Sequence, residues 1–404
     1  MKVVVRPLDD PSLEDGVARL RIRAYPQFPE TRDVEFYSSV YRWFESHPLG
    51  NEMHRWVAVA DDAQNGSRVV GHLAATPQYY RIGGQRVVAY TPCDYMVDSR
   101  HGFQALSLMR AFFRATENCV ACDMVPAVIS VESRLGAEVA GQLQYAAKLL
   151  NVSRLPVPPL PSPVRRLLNL GEQTVTARGY ASRPEAEPHD AEEHVAPPLV
   201  RPRAPIPAPV KGLLNEGLRM VDEALSSGFG GDLRAEVLEG FDESFDVLFE
   251  KIASKVPCVP EKDSAFLRWR YGPGSPQFPV TVLGVKEGET LLGYAVLMVT
   301  MTGQDGNVLD LTTLPERRDV ARALLRESVG FFRRVGVQIV RYRFLESSTS
   351  PRSSDLRRLG FFYRKGRCHS LLVKFADRGL HNTANDTANW SYTVGDGEAS
   401  FWTR

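Results

Sequence analysis

No apolar run in this chain approaches the ~20 residues that a membrane-spanning helix needs. Cysteine is scarce: five in 404 residues, an odd count for a closed disulfide framework. An excess of charge is missing too. The formal net charge is +1, so no global field draws the protein to nucleic acid or to an anionic membrane. The first residues, Met1 to Asp10, lack the apolar core and small-residue cleavage site of a secretory leader. These absences lead to an expectation of a cytoplasmic, reduced protein with no metal and no nucleic-acid or membrane partner. What remains is ordinary globular composition, 43% apolar and 24% charged, in a chain long enough for two cores.

The chain repeats itself. Residues 56–76 and 280–299 each read as a strand, a polar Gly-containing turn and a second strand. The second strand opens on Val70-Gly71-His72 in one copy and Leu292-Gly293-Tyr294 in the other. Each copy is followed by a further strand, an amphipathic helix, another strand and another helix. A repeat with so long a period implies two copies of a whole domain.

Apolar spacing predicts helices over 12–24 and 33–46 and strands near 56–61, 68–76, 78–82, 86–91 and 93–97. Gly83-Gly84 suits a tight hairpin. An apolar helix starts near Phe103. Residues 120–131 read as a strand and 133–150 as a long helix. The stretch 155–211 is proline-rich and reads as a linker, with 164–181 able to return to the first domain. In the second copy, which begins near residue 243, 245–253 and 262–271 read as helical. Thr313-Leu314-Pro315-Glu316 has capping-box spacing ahead of a helix over 317–335. Gly360 ends a helix over 355–359. The aromatic tail 385–404, with Trp390, Tyr392, Phe401 and Trp402, is expected to dock on the body. The predicted domains are 1–154, a linker 155–211, and 212–404.

This order of elements resembles the GCN5-related N-acetyltransferase (GNAT) superfamily, in a tandem arrangement. Two segments carry the resemblance best. Arg357-Arg358-Leu359-Gly360-Phe361 is similar to the family's ending of its last helix. Tyr95-Met96-Val97-Asp98-Ser99-Arg100-His101-Gly102-Phe103-Gln104-Ala105 is similar to the fourth strand, pyrophosphate loop and third helix. Residues 262–271 and the tail around Trp390, Thr393, Gly395 and Asp396 also resemble tandem GNAT-like proteins of bacterial polysaccharide loci. The resemblance implies an α/β (α+β) fold of two GNAT-like domains, each a mixed, mostly antiparallel sheet flanked by helices. It implies an acyl-CoA-dependent N-acyltransferase, with acetyl-CoA or another acyl-CoA as co-substrate and a small-molecule or sugar amine as acceptor.

The physics of the loop is general. Unpaired amides and the positive end of a helix dipole attract phosphate, and glycine lets it approach the backbone. Met96, Val97, Arg100, His101, Gly102, Phe103, Gln104 and Ala105 are therefore the candidate cofactor-binding residues. The glycine stands one place earlier than in the family's pattern. Either the loop is one residue shorter, or it no longer cradles a phosphate. The second copy, Asp310 to Glu316, offers no glycine, and its acids would repel phosphate, so no CoA is expected there.

Amine acylation needs a base and an acid for the leaving thiolate. Asp94 and Asp98, at the strand end, are the candidate bases; the alternative is that they are solvated or cap the next helix. The resemblance makes Tyr145 the candidate acid, on a last helix; a tyrosine packed on the sheet is the alternative. Cys119 and Cys122 form a lone CxxC without two further ligands, so buried thiols are expected. Arg341, Arg343, Arg352, Arg357, Arg358, Arg364 and Arg367 read as a solvated face, or as a patch for an anionic acceptor such as a nucleotide sugar or acidic glycan. Two other readings stand: a non-catalytic GNAT-derived binding or scaffold protein, and a FemABX-like transferase using aminoacyl-tRNA. A homodimer is left open.

Overall fold

The structure is a computed structural model and describes residues 2–25, 33–62, 66–153, 208–364, 366 and 368–403. Residues 155–207 of the expected linker, with the segment 164–181, and Arg367 lie outside the described residues. The first half runs β1 (Lys2–Pro7), α1 (Glu14–Ala24), α2 (Val34–Glu45), β2 (His54–Asp62), β3 (Gly66–Ile82), β4 (Gln85–Val97), α3 (Gln104–Ala115), β5 (Cys119–Asp123), α4 (Pro126–Arg134) and β6 (Glu138–Leu149). The second runs α5 (Ala208–Ser226), β7 (Glu236–Leu238), α6 (Glu243–Ala253), β8 (Cys258–Pro260), α7 (Ser264–Tyr271), β9 (Thr281–Glu287), β10 (Thr290–Val299) and β11 (Asp305–Thr313). It ends with α8 (Arg318–Arg334), β12 (Ile339–Phe344), α9 (Ser353–Arg358), β13 (Phe362–Tyr363), β14 (His369–Lys374) and α10 (Arg378–Ala384).

Local chemistry sets these elements. Asp33 accepts the Phe36 amide at 2.9 Å and starts α2; Asp263 does the same for Phe266 at 2.7 Å and starts α7. The β3–β4 hairpin turns on Gly83 and Gly84, both at positive φ (55° and 80°), where a side chain would be strained. Alternate strand residues then build two cores per half. Val57, Val59 and Val69 pack under α1 and α2, while Ala58, Val70 and Leu73 pack under α3. In the second half Val282, Tyr294 and Val296 face α6 and α7, and Leu283, Ala295 and Leu297 face α8. Each fully buried Val, Leu or Phe contributes roughly 1.5–3 kcal/mol. The expected α/β fold with a mixed, mostly antiparallel sheet flanked by helices is observed.

The repeat is visible in the strands. Val70 is an extra residue in the β2–β3 pairing, and Leu292 is an extra residue in the β9–β10 pairing, so each copy carries a bulge just before its glycine. A Cβ on Gly71 would strike Leu108 and Ala58; one on Gly293 would strike Thr312 and Thr313. The strands of the two halves join in one path, β1-β2-β3-β4-β5-β14-β6-β12-β11-β10-β9-β7. The halves exchange strands. The last strand of the chain, β14, lies between β5 and β6, and the other end of β6 pairs with β12. Across the same junction Trp43 of α2 stacks on Trp269 of α7 at 4.4 Å, and each indole N–H donates to the other's carbonyl, at 2.8 and 2.9 Å.

Three expectations are corrected. The strand over 120–131 ends at Asp123, because Pro126 begins α4 and Asp123 accepts the Val125 amide. The helix over 133–150 ends at Arg134, because Gly136 adopts φ 95° and the chain leaves as β6. The capping box at Thr313–Glu316 does not form. Thr313 donates its hydroxyl to the Leu314 and Thr349 carbonyls, Glu316 is at φ 65°, and α8 starts without a side-chain cap.

Candidate functional site

The site begins with a failure of pairing. β4 and β5 run parallel and are paired at Tyr90 and Cys119, where the Tyr90 amide donates to the Asn118 carbonyl at 3.0 Å. Further along, β4 bulges. Asp94 and Tyr95 together face Leu73 alone on β3, and Asp94 takes φ 53°. A bulge bends its strand and re-aims side chains. The ends of β4 and β5 therefore part, and the turn Glu398–Ser400 of the C-terminal tail packs against both.

Asp94 points toward α1 and α2 and is fully enclosed. Arg21 and Tyr37 donate to it, Tyr41 donates at 2.8 Å, and His72 Nδ1 lies 3.2 Å away. Arg55 Nε lies 3.4 Å from His72 Nε2, and His72 Nδ1 also lies 3.1 Å from the Asp94 carbonyl oxygen. Burial would raise the Asp94 carboxyl, but Arg21, His72 and Tyr37 together hold it below its ordinary value. Here the repeat acquires meaning. Tyr294, the counterpart of His72, donates to Asp310 at 3.2 Å in the second half, and Lys262 bridges Asp310 and Asp396 at 3.0 and 2.9 Å.

Beyond the bulge, Met96 is buried and Val97 half-buried. Asp98 then caps a 3-10 turn, Ser99–His101, by accepting the Arg100 amide at 3.1 Å. Arg68 and Arg23 stand 3.5 and 3.7 Å from its carboxylate. Burial works to raise this acid, and the Arg100 amide with the two arginines holds it low. His101 is 3% exposed, and neither ring nitrogen has a hydrogen-bond partner among the described residues. A Cβ on Gly102 would meet nothing nearer than the Ser99 carbonyl at 3.9 Å. Phe103 is exposed, Gln104 is buried, and the Ala105 amide donates to the Gly102 carbonyl at 3.1 Å. Arg23 and Arg68 thus stand at the Asp98 carboxylate, and the exposed Arg100 lies in the turn that leads into α3.

The structure brings Asp94 and Asp98 to one strand end, beside the loop through Ala105. Tyr145 is not with them. It lies on β6, buried, and its hydroxyl accepts from Arg341. The second half has no equivalent loop: Glu316 N–H donates to the Ser348 carbonyl at 2.9 Å, and Glu316 and Glu346 flank Arg318 and Arg352. Cys119 and Cys122 are free and buried, and burial pushes both thiols up. Among the described residues no group of three or more His, Cys, Asp or Glu is placed to hold a metal, and no helix is long and apolar enough to cross a membrane.

Among the contributors that the sequence reading missed are Arg21, Arg23, Arg68, Glu132 and Glu398. Glu398 accepts the Asp94 amide at 2.7 Å and the Trp402 indole at 3.2 Å. Burial and the charges of Asp123 and Asp94 push it up to about 7. Glu132 of α4 is sealed from solvent with no hydrogen-bond partner for either oxygen among the described residues, and burial pushes it up to about 9. The only sequence signal for Glu398 was its place beside Gly395-Asp396-Gly397.

No family model and no curated protein matches the sequence. Solved structures match over nearly its whole length. A GCN5-related N-acetyltransferase from Anabaena variabilis is 12% identical with TM-score 0.51, over 93% of this chain and 73% of that one. N-myristoyltransferase from Saccharomyces cerevisiae, solved with bound myristoyl-CoA, is 10% identical with TM-score 0.51, over 96% of this chain and 89% of that one. The fold is that of the GCN5-related N-acetyltransferases. The loop from Asp98 to Ala105, for which the sequence resemblance implied a pyrophosphate loop, follows directly on the parted end of β4.

Proposed function

We propose that the protein is an acyl-CoA-dependent N-acyltransferase, with acetyl-CoA as the simplest donor and an amine of a small molecule or sugar precursor as acceptor. The observation that carries the reading is the bulge at Asp94–Tyr95, which parts β4 from β5 beside the open N-terminus of α3. The loop suits a pyrophosphate. Gly102 leaves room, Arg23, Arg68 and Arg100 supply positive charge, and the Asp98 carboxylate is already neutralised. The GNAT-fold structure solved with myristoyl-CoA supports the donor class. The second half serves as a structural partner whose tail completes the first half's site.

Titration calorimetry with acetyl-CoA and CoA tests this reading. The wild type is expected to bind both. Gly102→Glu, which finds open space in the folded protein, places a carboxylate against the phosphates; like charges so placed cost several kcal/mol, a loss of about 100-fold or more. Equal affinity in the variant would remove the loop from the site.

A further inference from the structure

We propose that α5 joins two copies of this chain, each packing the helix antiparallel on its counterpart about a two-fold axis at Gly217. The observation that carries this is a helix turned inside out. A surface helix ordinarily sets its apolar stripe on the core and its charges in water. In α5 the polar residues do the anchoring. Asn215 accepts the Val152 amide at 2.8 Å and donates to the Ser153 hydroxyl at 2.9 Å. Lys211 donates to the Ser153 carbonyl at 2.5 Å. Asp222, buried, pairs with Lys148 of β6 and Arg333 of α8.

The opposite face is apolar and bare. Leu213 is 76% exposed, Met220 59%, Val221 57% and Leu214 45%. With Gly217 and Ala224 they recur at steps of three and four. At 3.6 residues per turn all six fall within ~60° of Gly217, and no charge interrupts them. A folded chain seldom leaves so continuous an apolar face to water. Gly217 is the second sign. Glycine in the middle of a helix is destabilising relative to alanine, and a Cβ there would meet nothing within 4 Å. The single chain gives that glycine no work; a second backbone in close approach does.

The stripe is complementary to itself. A two-fold at Gly217 sets Leu213 against the partner's Met220 and Leu214 against the partner's Val221, so each large side chain meets another. On the flank, Arg219 pairs with Glu216 and Glu223 of its own helix. The same two-fold brings Glu216 beside the partner's Arg219, so opposite charges meet across the seam as well. A lipid surface matches less well. The helix carries two basic residues, Lys211 and Arg219, against three acidic ones, Glu216, Asp222 and Glu223, and offers an anionic bilayer no attraction. Residues 154–207 of the same chain leave from Ser153 and return at Ala208, beside the first turns of α5. A single segment, however, would not call for a stripe symmetric about its own middle.

The test is the mass of the full chain in solution, by sedimentation over a range of concentrations. Twice the 45.0 kDa of one chain is expected. Leu213→Glu combined with Val221→Glu, both at exposed positions, should weaken self-association by about 100-fold or more and leave the circular dichroism unchanged. Gly217→Cys places a thiol on the axis and should cross-link into a dimer under mild oxidation. Glu223→Cys should not, because the two copies of that position lie ~18 Å apart along the paired helices. A wild type at 45.0 kDa throughout overturns the inference. So does a dimer that survives the double glutamate variant, or one that cross-links as readily through residue 223 as through 217. In a monomer, protection of Met220 from peroxide would give the stripe to residues 154–207, and pelleting with phosphatidylserine vesicles would give it to a lipid surface.

Discussion

Two carboxyl groups near the parted strands have opposite environments, and their stability signatures are opposite. Asp94 has a folded value below its ordinary 3.8, so its contribution is present above that value and lost as pH falls through the folded one. Asp94→Ala leaves Arg21 buried without its partner and is expected to cost about 3–5 kcal/mol at pH 7. Urea unfolding at pH 7 and pH 3 should show the penalty shrinking in acid. Glu132 runs the other way. Its folded value is about 9 against an ordinary 4.5, so the folded state holds a proton that the unfolded chain has lost, and stability falls as pH rises across that window. Glu132→Gln should match the wild type near pH 4.5 and exceed it by a few kcal/mol at pH 8. A constant difference across that range would mean that Glu132 is ionised in the folded protein.

Among the elements, the tail is the most exacting. Gly395 passes where no side chain fits, and overpacking of this kind costs about 1–3 kcal/mol. Gly395→Ala is expected to loosen residues 393–403 and expose them to trypsin while the sheet stays folded; a protected tail would show that the neighbours give way. Element boundaries were legible where backbone chemistry forces them. Gly83-Gly84 and Gly360 were read correctly because only a positive φ closes those turns. The α4–β6 boundary was misread because 120–131 is rich in β-branched residues, a strand signal that Pro126 overrides by starting a helix. That error put Tyr145 on a helix, when it lies on a strand among residues of the other half. Glu398 was illegible for a different reason: a single acid in a tail carries no periodicity, and its burial depends on contacts made some 300 residues away in sequence with Asp94.

For the whole molecule, the decisive feature is the exchange of β14 and β6 between halves. The repeat of Gly71 and Gly293 led to the expectation of two copies, but no local pattern reveals which half a strand completes, since pairing is a long-range choice. The exchange has a consequence for folding. A fragment ending at residue 153 would leave β5 and β6 as bare edges where β14 belongs. It should aggregate or stay unfolded by circular dichroism and gel filtration, whereas the full chain should melt in one transition. Trp269→Ala, which removes the reciprocal indole pair with Trp43, should lower that single transition by about 3–5 kcal/mol; two separate transitions would mean that the halves are independent.

The central claim is that acyl-CoA binds the first half and not the second. Hydrogen–deuterium exchange of the full chain with and without CoA tests it most directly. The account predicts slowed exchange for the amides from Asp98 to Ala105, with no change from Thr313 to Arg318. Protection at the second loop, or at neither, would contradict it.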